Sequence, residues 1–430
     1  MPPDVRKFIP LLLVAIIAAV LAGCGGSGSS SSGSSASTEA TSTEEGGGES
    51  VLGEPNKATG KPIVFGQINM EIGPITWPNR GQSADAAVEY VNNYLGGIHG
   101  RPIKIERCAT DGQPATSARC ANQIIEKDPV AILGAADLGA AGSMPVFEQA
   151  GLAYLGGSPF TPIESNAKNA AIFMSLVVGD NSALAGYAKE PLGLKSSVVL
   201  DVSNTTSKLV GAVIMNSLEG AGLSAKEITA PETASDFSAQ AAEAVSSGSE
   251  LVFVEIPTSC AAMLKALKAV GNTATVMAID LCTSPVTIEA AGDAAEGIYA
   301  AGPFEGLDSG SEEMEITLAA LSKYAPADIS IEANALDSFG TVMNVYRKLN
   351  EAPESVLEEP SKILGLFEEG KENPNWLAHP YTCNHEQVPG QAAVCNGYQK
   401  IKQVKDGKEV VISKGWVNGT QYFDPSKLPQ

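Results

Sequence analysis

Histidine is scarce in this chain: His99, His379 and His385 are the only three in 430 residues. So small a supply of general bases argues against hydrolytic or acyl-transfer chemistry. His99 lies in a glycine-flanked turn between Gly97 and Gly100, a place for a solvent-facing ring. His385-Glu386 has no second histidine at the spacing of a zinc-protease helix, and no GxxxxGK[ST] phosphate loop occurs. No GxGxxG opens a helix after the first apolar strand. The segment GGSPF around Ser158 lacks the second flanking glycine of a nucleophile elbow. Positive charge is also short. The chain has 28 Lys and Arg against 49 Asp and Glu, a formal charge of −21, which leaves no broad basic face for nucleic acid. Beyond residue 60 no apolar run is long enough to cross a bilayer. Nor is there a fixed-period repeat, which excludes a solenoid. No catalytic constellation remains, and no cofactor or metal is implied.

The first sixty residues carry an address. Arg6 and Lys7 precede an apolar run over residues 8–21, the length of a signal-peptide core. Leu21-Ala22-Gly23-Cys24 follows and resembles the bacterial lipobox, which implies cleavage before Cys24 and lipidation of its thiol. Residues 1–23 are therefore read as a signal peptide. The mature chain is expected at the outer face of the cytoplasmic membrane. Residues 24–60 are Gly, Ser, Thr and Glu with few large apolar side chains, too polar to bury a core. They read as a flexible tether with a root-mean-square span of roughly 30–36 Å.

Seven cysteines less Cys24 leave six, an even number in an exported chain. Six cysteines allow about fifteen pairings by counting alone. They fall as near neighbours, so Cys108 is expected with Cys120, Cys260 with Cys282 and Cys383 with Cys395. Cys383-Asn384-His385 with Cys395 lacks a fourth ligand for a metal.

The body alternates strands and helices. Strand-like runs at 61–68, 102–107, 130–133 and 152–155 are separated by helical patterns at 82–94 and 114–127, and residues 171–178 read as a strand leading out of this half. Gly96-Gly97 supplies the left-handed stop of the first helix. A second α/β series has strands at 197–201, 251–254 and 275–280 and helices at 207–219, 236–245 and 261–270. Helices at 312–324 and 334–349 come next, and Asp406-Gly407 marks a closing hairpin. Two parallel α/β sheets follow from this order. Ligands of such sheets sit beyond the carboxyl ends of the strands, which makes the loop 134–143 a first candidate surface.

Several segments together resemble the periplasmic substrate-binding proteins of branched-chain amino acid ABC transporters, the type I, leucine-binding-protein-like family. GGIHGRPIKI is similar to the turn into that family's second strand and DFSAQ at 236–240 to its mid-chain helix start. AGDAAEG at 291–297 is the longest match, QVKDGKEVV fits the closing hairpin, and IGPITWPNRG resembles the first ligand loop. The resemblance implies two Rossmann-like lobes joined by three crossings, closing on a solute like a hinged clam. The N-terminal lobe would be 61–178 plus 306–379 and the C-terminal lobe 179–305 plus 380–430. The crossings would lie near 175–180, 301–306 and 378–383.

The resemblance also places ligand contacts. Trp77 falls where the family sets an aromatic ring against the solute. Asp137, Leu138 and Gly139 occupy the loop that grips an α-carboxylate, although the family's serine is missing. Ser158 and Thr161 fall in a second gripping loop. Thr205 and Thr258 stand where tyrosines are usual, and Asp280 falls where an acid meets the ligand's ammonium. The implied function is capture of a small polar–apolar solute, a branched-chain amino acid, an amide or similar, for an ABC permease. The protein would be a monomer, would perform no chemistry and would bind no nucleic acid. A sensing module signalling to a membrane partner is the alternative on the same fold, with an envelope hydrolase behind it.

Overall fold

The computed structural model describes residues 51–428. The signal peptide over 1–23, Cys24 and the tether up to residue 50 lie outside the described residues. Residues 51–60, expected within the tether, are part of the body. Leu52 is buried in the first core, and the Asn56 and Ala58 amides donate to the carbonyls of Asn93 and Asn92.

The first lobe is built on a five-stranded parallel sheet: β1 (Ile63–Met70), β2 (Ile103–Thr110), β3 (Ala131–Leu133), β4 (Tyr154–Leu155) and β5 (Ala170–Ala171), in the order β2-β1-β3-β4-β5. The crossover helices are α1 (Pro78–Tyr94), α2 (Pro114–Ile125) and α3 (Ala140–Gln149), with the short α4 (Pro162–Ser165) after β4. Pro78 and Pro114 open α1 and α2 at positions where no intrahelical donor is needed. The turn after α1 uses Gly97 at φ 69°, where a Cβ would sit 2.2 Å from the Arg101 carbonyl oxygen, so only glycine fits.

The second lobe holds β6 (Ser196–Val202), β7 (Ser224–Ala230), β8 (Leu251–Val254), β9 (Thr275–Ala278) and β10 (Tyr299–Gly302), all parallel. Two antiparallel strands, β11 (Tyr398–Lys405) and β12 (Lys408–Val411), extend its edge, and β13 (Val417–Asn418) pairs with β11. Its helices are α5 (Val177–Lys189), α6 (Thr205–Gly220), α7 (Ser238–Ser246), α8 (Cys260–Ala269) and α9 (Pro285–Ala291). The hairpin between β11 and β12 turns on Asp406 and Gly407, both at positive φ, the geometry of a two-residue primed turn. α10 (Glu312–Tyr324), α11 (Ala333–Glu351) and α12 (Pro360–Glu368) return to the first lobe, where Phe339, Val342 and Phe367 join its core.

Three further boundaries differ from the sequence reading. Residues 171–178 are not a strand. β5 stops at Ala171 and Val177 opens α5, so Val177-Val178 are β-branched residues at a helix start. The loop 134–143 becomes helical from Ala140. The third crossing falls later than 378–383, because Tyr381, Cys383 and Cys395 still pack in the first core. Val394 forms a parallel bridge with Ile172, and the Cys395 amide donates to the Ile172 carbonyl at 2.8 Å. The chain enters the second sheet only at Tyr398.

All three expected cysteine pairs are bonded: Cys108–Cys120, Cys260–Cys282 and Cys383–Cys395. The last excludes Cys383 and Cys395 from a metal site. Among the described residues no acidic, histidine or cysteine cluster could hold a metal. No described helix is long and apolar enough to cross a membrane.

Candidate functional site

The carboxyl ends of the strands carry the loops with exposed apolar side chains. Ile72 and Ile75 follow β1, Leu138 follows β3, Ile163 follows β4, and Leu209 follows β6. Leu281 and Val286 follow β9, and Leu307 follows β10. These are the large apolar side chains left exposed among the described residues, and all lie at this end of their sheet. Monomer surfaces scatter such residues singly, and here each follows the carboxyl end of a strand, where ligands of α/β sheets bind.

In the first lobe the loop after β1 is pinned from inside. The Asn69 side-chain amide donates to the Glu71 carboxylate and to the Trp77 carbonyl, each at 3.0 Å. The half-buried Trp77 ring stacks on Phe160 of the loop after β4, with centroids 5.2 Å apart and planes 14° apart. This joins two of the candidate ligand loops into one aromatic wall. Behind it lies Arg80, whose guanidinium is 5.2 Å from the Phe160 centroid. Arg80 is almost wholly buried, with its charge met by Asp337 and two further bonds to Asn334, at 3.0 Å from Nε and 2.6 Å from Nη2.

The expected carboxylate-gripping groups are placed differently. Asp137 points into the lobe, where its carboxylate accepts from the Ser117 and Ser143 hydroxyls, both at 2.5 Å, and from the Gly139 amide at 2.9 Å. It therefore fastens α2 to α3 and presents nothing outward. Burial raises its pKa, opposed by those three donors. Gly139 is required by packing, since a Cβ there would meet Ser117 Oγ at 2.2 Å. Leu138 alone of the three stays exposed. Ser158 is buried and donates to Asp337 at 2.7 Å. Thr161 caps α4: its hydroxyl accepts from the Glu164 amide and donates to the Glu164 carboxylate at 3.0 Å.

Glu164 collects four donors, from the Phe160 and Thr161 amides, the Thr161 hydroxyl and the Tyr154 hydroxyl. Burial first, then the Asp137 charge, pushes its carboxyl up from 4.5 to about 8. Because the native state holds this proton more tightly than the unfolded chain does, Glu164 contributes most stability below 4.5. That contribution is lost as pH rises towards about 8. Glu164→Gln keeps a neutral, hydrogen-bonding group in place. It is expected to flatten the pH dependence of the urea midpoint between roughly pH 5 and 8, by up to about 1.4 kcal/mol per pH unit. An unaltered slope would exclude Glu164 as its source. Glu255, buried after β8 and likewise raised to about 8 by burial, leaves a residual slope of the same sign.

In the second lobe Thr205 and Thr258 are exposed, at the start of α6 and in the loop after β8. Asp280 follows β9 and is 3.3 Å from the Lys402 ammonium, which also meets Glu409 at 2.9 Å. Lys402 projects from β11 and is mostly buried; desolvation works against its charge, but Asp280 and Glu409 more than offset it and raise its pKa. Asp180, in the first turn of α5, shares this field. Burial and then the Asp280 charge hold its carboxyl well above the ordinary range, with Lys402 opposing, and its Oδ1 has no hydrogen-bond partner. Across from this cluster Glu332 of the first lobe accepts from Asn79 at 3.1 Å. Its pKa is raised by burial and by the charge of Asp280 among other neighbours, so acids of the two lobes lie within electrostatic reach of each other.

A hydrogen bond ties the first crossing to the third, the Gln399 side chain donating to the Ser175 carbonyl at 2.9 Å; at the second, the Glu305 amide donates to the Leu377 carbonyl of the first lobe at 2.9 Å. Sequence reasoning missed Arg80, Phe160, Asp180, Glu332 and Lys402. Lys402 had a readable signal, being a lysine on the same strand face as the buried Val404. The others depend on partners distant in sequence.

Comparison with known proteins follows from this geometry. The family model described as periplasmic binding protein matches residues 62–347. A leucine binding protein, LivK, from Thermotoga maritima MSB8 is 16% identical with a TM-score of 0.65, over 83% of this chain and 99% of that one. An ABC transporter substrate-binding protein from Sphaerobacter thermophilus is 16% identical with a TM-score of 0.70, over 84% and 100%. A solute binding protein of an ABC transporter from R. palustris, in complex with 4-hydroxybenzoate, is 16% identical with a TM-score of 0.67, over 84% and 98%. A comparison with curated protein sequences finds no match. The fold is that of the type I periplasmic binding proteins: two α/β lobes with mainly parallel sheets.

Proposed function

We propose, from the premise that this chain belongs to the periplasmic binding protein family, that it captures a small organic solute between its lobes and delivers it to an ABC permease. The observation that carries this reading is that the exposed large apolar side chains lie in the loops, or in the helices opening from them, that follow strands of both sheets. Trp77 with Phe160 forms one wall, Leu138 is exposed after β3, and Asp280, Thr205 and Thr258 stand on the second lobe. The solute is bound and released unchanged, by a monomer held at the outer face of the cytoplasmic membrane through lipidated Cys24. Closure shifts an open–closed equilibrium by the solute's differential affinity for the closed form.

The test is to incubate the full chain with a mixed metabolite pool, separate it from free solute, unfold it and identify what is released. One compound is expected at one per chain, chemically identical to a member of the pool. Release of a compound absent from the pool would restore the hydrolase alternative.

A further inference from the structure

The donors that would receive a ligand carboxylate in the first lobe are already taken by three carboxylates of the chain itself. Asp137 uses the Gly139 amide and the Ser117 and Ser143 hydroxyls. Glu164 uses the Phe160 and Thr161 amides and the Thr161 hydroxyl. Asp337 uses Ser158 and the Arg80 guanidinium. Each of these acids is buried, so none can turn outward without exchanging several bonds for a cavity. An incoming anion would find these donors already engaged from within.

The other polar part of the site has the opposite character. Asp280 and Glu409 meet the single ammonium of Lys402; both charges act on Asp180, and that of Asp280 acts on Glu332 of the first lobe. Asp180 is more than nine-tenths buried and its Oδ1 lacks a partner; burial and the Asp280 charge favour its neutral form, so it ionises only where a cation compensates it. Arg80 does not redress the balance, because Asp337 neutralises it. Carboxylates thus outnumber the ammonium at Lys402, and the stacked Trp77 and Phe160 of the first lobe offer a π-face that attracts cations. A buried acid with an unmet oxygen gains most from a cationic donor.

We infer that the solute is an organic cation with an apolar body and no carboxylate, a primary amine being the simplest case, and that Asp280, Glu332 and Asp180 receive its charge. This rests on the solute-binding reading above. It separates this chain from a site for amino acids, whose carboxylate needs donors that are spent here, and from one for aromatic acids.

The experiment measures thermal stability and calorimetric binding of the full chain at low ionic strength with defined probes. 2-Phenylethylamine and isopentylamine represent amines, L-leucine the zwitterions, 4-hydroxybenzoate the aromatic acids and benzamide the neutral amides. An amine is expected to raise the melting temperature and bind, with the two carboxylate-bearing probes silent. Asp280→Asn and Glu332→Gln should each weaken amine binding about tenfold or more, while ligand-free melting confirms that the variants fold. Binding of leucine, 4-hydroxybenzoate or benzamide with amines silent would overturn the cation assignment and leave solute binding intact. Amine binding unaffected by both variants would overturn the assigned residues. Silence towards all probes overturns the cation assignment, and if the metabolite pool also yields no retained compound, the solute-binding reading falls with it.

Discussion

Arg80→Ala is expected to cost about 3–5 kcal/mol of folding stability, the range for breaking a buried ion pair by removing one partner. Asp337 would be left with its charge buried and with only the hydroxyls of Ser158 and Thr341 to meet it. The loss would spread to the site, because the guanidinium lies against Phe160 and Phe160 supports Trp77. Arg80→Met with Asp337→Leu should recover most of the stability, since an apolar pair of similar volume carries no uncompensated charge. Urea unfolding of the three proteins checks this. A single variant within 1 kcal/mol of the parent chain would show that the pair is not the clamp described here.

Cys260→Ala with Cys282→Ala is expected to cost about 3 kcal/mol, the loop-closure figure for a crosslink of this span, the two cysteines being 22 residues apart. The bond joins the start of α8 to the turn that carries Asp280, so it holds two strand-end loops of the second lobe in register. Both sulfurs are buried, so the alanines also remove packing. Solute affinity should fall along with the melting temperature, because Asp280 would no longer be held beside Lys402. Loss of stability with unchanged affinity would assign the bond to the fold alone.

Much of the fold was legible because local chemistry declared it. The apolar runs of β1, β6 and β8, the glycines after α1 and the Asp406-Gly407 turn each carry their own signal. β7 went unread because four of its seven side chains are exposed, leaving no clean apolar face. α5 went unread because it begins with two valines and is buried along most of its length, which erases helical periodicity. The third crossing was misplaced because the segment around Tyr381 to Cys395 is irregular, and only its packing against Ile172 assigns it to the first lobe.

The site was legible by position more than by role. Trp77, Leu138 and Asp280 do lie on strand-end loops. Asp137, Gly139, Ser158 and Thr161 lie on such loops too, yet their polar groups serve Asp137 itself, Asp337 and Glu164. No local pattern shows which way a hydroxyl is spent when its partner is far away in the chain. Ser158 and Asp337 are 179 residues apart, and Arg80 and Asp337 are 257 apart.

Two α/β lobes joined by three crossings are expected to close on a solute. Small-angle X-ray scattering of the full chain, stripped of solute and then saturated with the compound recovered from the metabolite pool, tests this most directly. The account expects the radius of gyration to fall on saturation and to return when the solute is removed. An unchanged scattering profile, with calorimetry confirming that the solute is bound, would contradict it.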